Sequence, residues 1–186
     1  MTYRQLISRL SSAGIENAAG EARLLIEHFC GCDASTLRPD APLPEMARLC
    51  EAVSRRERRE PLQYILGSAP FAELELKVDP HVLIPRSETV CLVEYALEHL
   101  VPRGTLLDVG CGSGAIALLA ASRRPDIAVT AVDKSPDALN TAKENASQLG
   151  VDTRVSFFES DLLKQLPLQK FDVIAANLPY VTHQRP

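Results

Sequence analysis

The chain has 186 residues, 46% hydrophobic and 24% charged, which suits one ordinary globular domain or two small ones around a real core. A net charge of −4 and a pI near 5.6 leave no basic footprint for general nucleic-acid binding. Cys30, Cys32, Cys50, Cys91 and Cys111 have neither metal-type nor disulfide-framework spacing, and the four histidines do not cluster with them, so reduced thiols and no metal are expected. The N-terminus MTYRQLISRL lacks the apolar core of a signal peptide, and no stretch approaches membrane-spanning length. A cytoplasmic protein without a membrane partner is the expectation.

In chain order, Leu6, Ile7 and Leu10 mark one face of a helix that Gly14 can end. Ala18, Ala22, Leu25, Ile26 and Phe29 mark a second, closed by Gly31. Pro39, Pro42 and Pro44 punctuate a loop, and Met46, Leu49 and Val53 face one way on a third helix. Its end, SRRERRE, predicts a solvated face with local ion pairs, with a docking surface for an acidic partner as the other reading.

After Gly67 the period changes. Leu74, Leu76 and Val78 alternate with Glu75 and Lys77 as in a half-buried strand; Asp79-Pro80-His81 turns the chain, and VLIP is expected to return as its hairpin partner. Ser87 and Glu88 suit the start of a helix with Val90, Val93, Ala96, Leu97 and Leu100 on its apolar face. From Thr105 strands and helices alternate: TLLDVG, a helix from near Ser113, AVTAVD, a helix from Pro136 to Gln148, RVSFF and FDVIAAN. This predicts an α/β fold, a helical bundle followed by a doubly wound parallel sheet. The boundaries are 1–67 for the helices, 68–85 for a hairpin connector and 86–186 for the α/β domain.

Asp108-Val-Gly110-Cys-Gly112-Ser-Gly114 joins the first parallel strand to its helix. Glycines there allow a sharp turn and close approach of a ligand to main chain, beside the positive end of a helix. The spacing of Gly110, Gly112 and Ala115 also fits a dinucleotide fingerprint, and Asp133 at the end of the next strand can accept from two ribose hydroxyls in either case. Asp108 separates the readings: a carboxylate there can face an amino-acid ammonium, which S-adenosylmethionine has and NAD lacks. Asp161, after the third strand, can accept from an adenine amino group while Leu162 packs on the ring; capping a helix through LLKQL is an equal reading of Asp161.

The fourth strand ends in Asn177-Leu178-Pro179-Tyr180. Pro179 holds Leu178 extended, so the Asn177 side-chain oxygen and the Leu178 carbonyl can grip an –NH2 group, with Tyr180 as a flat wall over it. Such a clamp presents a weakly nucleophilic nitrogen to a methyl sulfonium, where orientation carries most of the work. An ordinary Asn-Pro turn is what this tetrapeptide alone would suggest.

RREPLQYILG, VLIPRSETVCLVE, LLDVGCGSGAIAL, AVDKSPDAL and FDVIAANLPYV, in this order, closely resemble the HemK-type release-factor glutamine N5-methyltransferases over nearly the whole chain. The resemblance implies an N-terminal helical substrate-docking bundle joined by a hairpin to a class I, Rossmann-like, S-adenosylmethionine-dependent domain. It implies methylation of the Gly-Gly-Gln glutamine of class I peptide-chain release factors, which tunes translation termination. Residue by residue, Gly110, Cys111, Gly112, Ser113 and Gly114 would hold the methionine part of the cofactor, Asp133 the ribose, Asp161 and Leu162 the adenine. Asn177, Leu178, Pro179 and Tyr180 would bind the substrate, Asn177 and Tyr180 acting in catalysis, and Asn177 would also touch the cofactor. The segment Pro85 to Thr89 would start the domain's first helix near the mouth of the site.

Two positions depart from the family pattern: Leu178 stands where its tip has a first proline, and Ser87 replaces another proline. The family domain also continues beyond this tip, so FDVIAAN is expected at an unprotected sheet edge, and a less stable, poorly active form is expected. The alternatives are an amino-group DNA methyltransferase, a methyltransferase for another protein glutamine, or a remnant that only binds a release factor.

Overall fold

The computed structural model describes residues 1–44 and 47–178. The chain forms two compact units, residues 1–67 and 68–186.

The first unit is built from α1 (Tyr3–Ser12), α2 (Ala18–Cys30), a 3-10 turn (Ala34–Thr36), α3 (Ala47–Glu57) and the short α4 (Leu62–Leu66). Thr2 and Gln5 cap α1 reciprocally, Asn17 caps α2, and Gly14 and Gly31 leave the two helices with positive φ. Leu6, Leu10, Leu25, Ile26, Leu49 and Val53 meet in one apolar core. Met46, expected on the third helix, lies outside the described residues. The SRRERRE run is less local than its pattern predicts. Arg56 forks onto Glu21 of α2 at 2.5 and 3.0 Å, and Arg9 of α1 onto Glu57 at 2.8 and 2.7 Å. Arg55 pairs with nearby Glu60, and Arg59 donates to the Gly14 carbonyl at 2.6 Å. These bonds tie α1, α2 and α3 together at one end, and the Arg9 guanidinium holds the Glu57 carboxyl below its ordinary range.

The second unit opens with a hairpin, β1 (Ser68–Phe71) against β2 (Leu74–Lys77), antiparallel with Phe71 opposite Leu74. The expected pairing of LELK with VLIP is therefore wrong: its partner is the preceding SAPF. Ala72 makes the two-residue turn by taking φ 50°, a role that no glycine advertises, and Pro70 is tolerated because the ribbon has only edges. Asp79 does turn the chain, accepting from the His81 N–H at 2.8 Å, after which residues 82–88 run without strand structure.

Four parallel strands follow: β3 (Thr105–Val109), β4 (Ala128–Asp133), β5 (Val155–Glu159) and β6 (Val173–Ala176), in the order β5-β4-β3-β6. The helices are α5 (Thr89–His99), α6 (Ala115–Arg123) and α7 (Pro136–Gln148). Ser135 caps α7 and Pro136 occupies its first turn, so its expected span is met. α6 is buried all round, as its run AIALLAA requires of a helix set between a sheet and two neighbours. One sheet face (Leu106, Val129, Ala131, Val155, Ala175) shares a core with α5, α6, α7 and hairpin residues Phe71, Leu74 and Leu76. On the other face Leu107, Val109 and Val132 meet Leu166 and Phe171 from the segment after β5. No helix runs through LLKQL, so the capping reading of Asp161 is not met; Leu162 takes φ 57°, which interrupts a helical run at its first turn. β6 pairs with β3 and, among the described residues, with no other strand, leaving Ile174 56% exposed. No helix among the described residues is long and apolar enough to cross a membrane.

Candidate active site

All four strands point their carboxyl ends to one edge. The chain passes from β3 to β4 on one side and later returns to β6 on the other, so the order reverses between β3 and β6. Ligand-binding crevices open at such reversals in parallel sheets. Here a cleft of about 1030 Å³, counting space open to solvent, is lined by Gly110, Gly112, Asp133, Asp161, Leu162, Asn177 and Leu178, with His81 to Leu83 across it.

The loop after β3 is held from below. The N–H groups of Gly110 and Cys111 both donate to the Val132 carbonyl, at 2.8 and 2.9 Å. Gly112 has φ 54° and a Cβ there would meet nothing within 4 Å, so its face toward the cleft is open space. Gly110, at φ 72°, lies under Leu178: a Cβ would fall 2.4 Å from the Leu178 Cδ2. That approach is possible only because position 110 lacks a side chain.

Asp133 is held at the end of β4 by two backbone N–H groups. One oxygen accepts from the Gly112 N–H at 2.9 Å and the other from the Ser135 N–H at 3.0 Å. A carboxylate has about four lone-pair sites, so two remain for a ligand while the side chain stays fixed.

Asp108 differs from expectation. It is fully buried and lies beneath the loop, away from the cleft lining, where it cannot face a ligand ammonium directly. Its Oδ2 accepts from the Ala117 N–H at 3.1 Å, so it caps α6, whose N-cap Gly114 has no side chain to do so. Its Oδ1 is buried with no hydrogen-bond partner among the described residues. Burial pushes this carboxyl up to about 7, the Ala117 bond opposing and the Asp133 charge adding to the rise.

Cys111 and Ser113 are buried in the loop's underside. Burial pushes the Cys111 thiol up, which leaves it protonated and inert. Asp161 and Leu162 both reach the cleft. Lys164 pairs with Asp161 and lowers its carboxyl, while Gln165 accepts from the Asp161 N–H and closes the turn.

Asn177 follows β6 and sits where three depressions meet. These are the main cleft, a smaller cavity behind the glycine loop with Pro85, Arg86 and Ser113, and a groove lined by Arg86, Glu88, Thr89 and Leu92. Its Nδ2 donates to Thr89 Oγ1 at 3.1 Å. Pro179 and Tyr180, the rest of the expected clamp, lie outside the described residues.

Two side-chain roles escaped sequence reasoning, the bond of Thr89, expected only near the mouth of the site, and the part played by Asn145. Thr89 bears on Asn177 from 88 positions upstream. Asn145 is buried on α7; its Oδ1 accepts from the Lys77 N–H, and its Nδ2 donates to the carbonyls of Lys77 and Ser113 at 3.0 and 2.9 Å. It thereby ties the hairpin to the glycine loop. An asparagine on the inward face of a helix is the signal that could have found it, since such a residue needs buried partners.

The family model of the PrmC N-terminal domain matches residues 2–67, and that of the Methyltransferase small domain matches residues 89–185. A release factor glutamine methyltransferase of Geobacter sulfurreducens is 42% identical over 92% of this chain and 61% of its own length. One of Moorella thermoacetica is 41% identical over 97% of this chain and 68% of its own. The human MTRF1L release factor glutamine methyltransferase is 38% identical over 92% and 56%. This chain thus spans about three fifths of the length of the Geobacter relative. With both family models in register with its two units, and a relative at 41% identity of which it covers 68%, the chain belongs to the release factor glutamine methyltransferases.

Proposed function

We propose that this protein transfers a methyl group from S-adenosylmethionine to the side-chain amide nitrogen of the glutamine in the Gly-Gly-Gln motif of class I peptide-chain release factors. The observation that carries this reading is Asn177, a carboxamide held by its nitrogen end at the junction of the cleft and the groove.

The residues fit the cofactor on three counts. Asp133 has lone pairs left for ribose hydroxyls, Gly112 leaves room above the loop, and the unpartnered Asp108 oxygen beneath it favours a cation overhead. Gly110 to Gly114 would hold the amino-acid end and Asp161 with Leu162 the adenine. When bound, S-adenosylmethionine supplies a methyl on a sulfonium, an activated leaving group. The chain's task is then orientation. Asn177 Oδ1 accepts one N–H of the substrate amide, Leu178 offers its carbonyl to the other, and Tyr180 covers the plane. A proline at position 179 disfavours the helical region for Leu178, even though the leucine frees its own φ. The groove along Arg86, Glu88 and Leu92 gives a glutamine loop its way in, and residues 1–67 dock the release factor.

Incubation of the protein with S-adenosylmethionine and a class I release factor, read by mass spectrometry, tests this. One added methyl on the Gly-Gly-Gln glutamine is expected. Methylation of duplex DNA or of a different protein glutamine instead would replace the reading, and saturable cofactor binding without any transfer would reduce it to a binding role.

Gly112→Val is expected to destabilise the fold by about 1–2 kcal/mol through its left-handed backbone. Because its side chain would occupy the open face of the loop, affinity for S-adenosylhomocysteine should fall at least about tenfold, or ~1.4 kcal/mol. Urea unfolding and calorimetry separate the two effects; an unchanged affinity would remove the loop from the cofactor site.

A further inference from the structure

We propose that Thr89 is a positioning residue: it supplies the acceptor that the Asn177 carboxamide needs in order to turn its oxygen toward a substrate amide. This rests on the reading of Asn177 as the glutamine clamp.

The two ends of a carboxamide are nearly the same size and opposite in hydrogen-bonding character. With Oδ1 toward the substrate, Asn177 accepts from the –NH2 group that is to be methylated. Turned over, it presents its own –NH2 to that group, and neither nitrogen finds a partner. Sterics do not separate the orientations; the substrate –NH2, which can only donate, demands the oxygen on its side, and the far end must then find an acceptor for Nδ2. In the productive one Nδ2 points at the start of α5, and there Thr89 Oγ1 receives it at 3.1 Å. Among the described residues nothing else accepts from Nδ2.

The fold places this hydroxyl with little freedom. Thr89 is the first residue of α5, and its N–H is bonded to the Arg86 carbonyl at 3.0 Å. One and two turns on, α5 buries Val93 and Ala96 in the core that also holds Ala175 of β6, two residues before Asn177. Helix start and strand end are thus fixed by the same packing, and a threonine, β-branched and stiff about χ1, keeps its oxygen in place. Thr89 also borders the substrate groove and the cavity behind the loop.

Thr89→Val keeps the shape and removes the oxygen; Thr89→Ser keeps the oxygen. Each is compared with wild type in S-adenosylhomocysteine affinity, in affinity for a Gly-Gly-Gln peptide with that ligand bound, in kcat and KM for methyl transfer, and in the side-chain amide NMR signals of Asn177. For Thr89→Val, cofactor affinity within about twofold of wild type is expected, with peptide affinity and kcat/KM down roughly tenfold or more and the Asn177 amide signals shifted. Thr89→Ser should restore both to within about threefold. A purely structural role would instead lower cofactor and peptide affinity together, without rescue by serine, and that pattern overturns the proposal. So does a valine variant that binds peptide and turns over like wild type. If the wild-type protein itself binds and methylates no glutamine peptide, the clamp reading has failed, a result distinct from any difference between the variants.

Discussion

Replacing Asp108 by asparagine is expected to remove a pH dependence of folding that the wild-type protein carries between about pH 4 and pH 7. The carboxyl is wholly buried on β3, and burial raises it from the ordinary carboxylate range to about 7. Within that window the folded protein holds a proton that the unfolded chain has released. Stability from this group is therefore full at the acid end and is lost as pH rises through the folded value. A displacement of that size corresponds to something on the order of 4 kcal/mol. Asparagine still offers an oxygen to the Ala117 N–H, so the cap on α6 survives. Its unpaired nitrogen costs a pH-independent amount, which moves the stability curve without tilting it. Urea unfolding of both proteins at pH 5 and pH 8 gives the comparison: the difference between them should shift toward the asparagine variant by several kcal/mol at the higher pH. Parallel curves would mean that Asp108 titrates normally and is not the uncompensated group its surroundings describe.

The same residue has a ligand-linked consequence. A cationic amino-acid tail seated on the loop would favour the ionised carboxyl beneath it. Binding of S-adenosylhomocysteine near pH 7 should then release protons in the wild type and fewer in Asp108→Asn, measurable by calorimetry in buffers of different ionisation heat.

The Asp108 role shows where sequence reasoning stops. A carboxylate before a glycine loop was legible as a feature of a methyl-donor site, and the loop, Asp133, Asp161, Leu162 and Asn177 do line one cleft. What could not be read was direction. Side chains alternate along a strand, but whether Asp108 meets the cleft or the start of α6 depends on how tightly the loop folds back. Three positive-φ glycines at alternate positions, Gly110, Gly112 and Gly114, fold it tightly enough to bury that residue. The Thr89–Asn177 bond was hidden for another reason: it joins positions 88 apart through packing between a helix start and a strand end, and no local pattern encodes it.

In the fold, the elements with strong local signals are where the sequence puts them. α7, with a serine cap, a proline in its first turn and a glycine exit, has its expected span. The errors fall where a residue adopts a backbone its type disfavours. Ala72 turns the hairpin at φ 50° and Leu162 interrupts LLKQL at φ 57°, backbones that neither residue type favours by itself. SRRERRE looked like a solvated run because its partners are distant in sequence, Glu21 on α2 and the Gly14 carbonyl in the turn after α1.

Asn177→Ala should abolish most methyl transfer while leaving the cofactor site intact. If orientation of the substrate amide carries most of the rate, losing the only described side-chain acceptor of the clamp should lower kcat/KM by at least about 100-fold. Affinity for S-adenosylhomocysteine should change by no more than a small factor, because Asp133 and the glycine loop are bonded to each other and not to Asn177. Asn177→Asp provides the sharper comparison. A carboxylate keeps acceptors on the substrate side, and the Thr89 hydroxyl, which can donate as well as accept, can still hold the other end. The aspartate variant should therefore retain measurably more transfer and more peptide affinity than the alanine variant. Equal loss in both would mean that the donor end of Asn177 matters in itself. Full retention in the alanine variant would show that the amide nitrogen is gripped elsewhere, and with it the case for a carboxamide clamp at the end of β6 would fall.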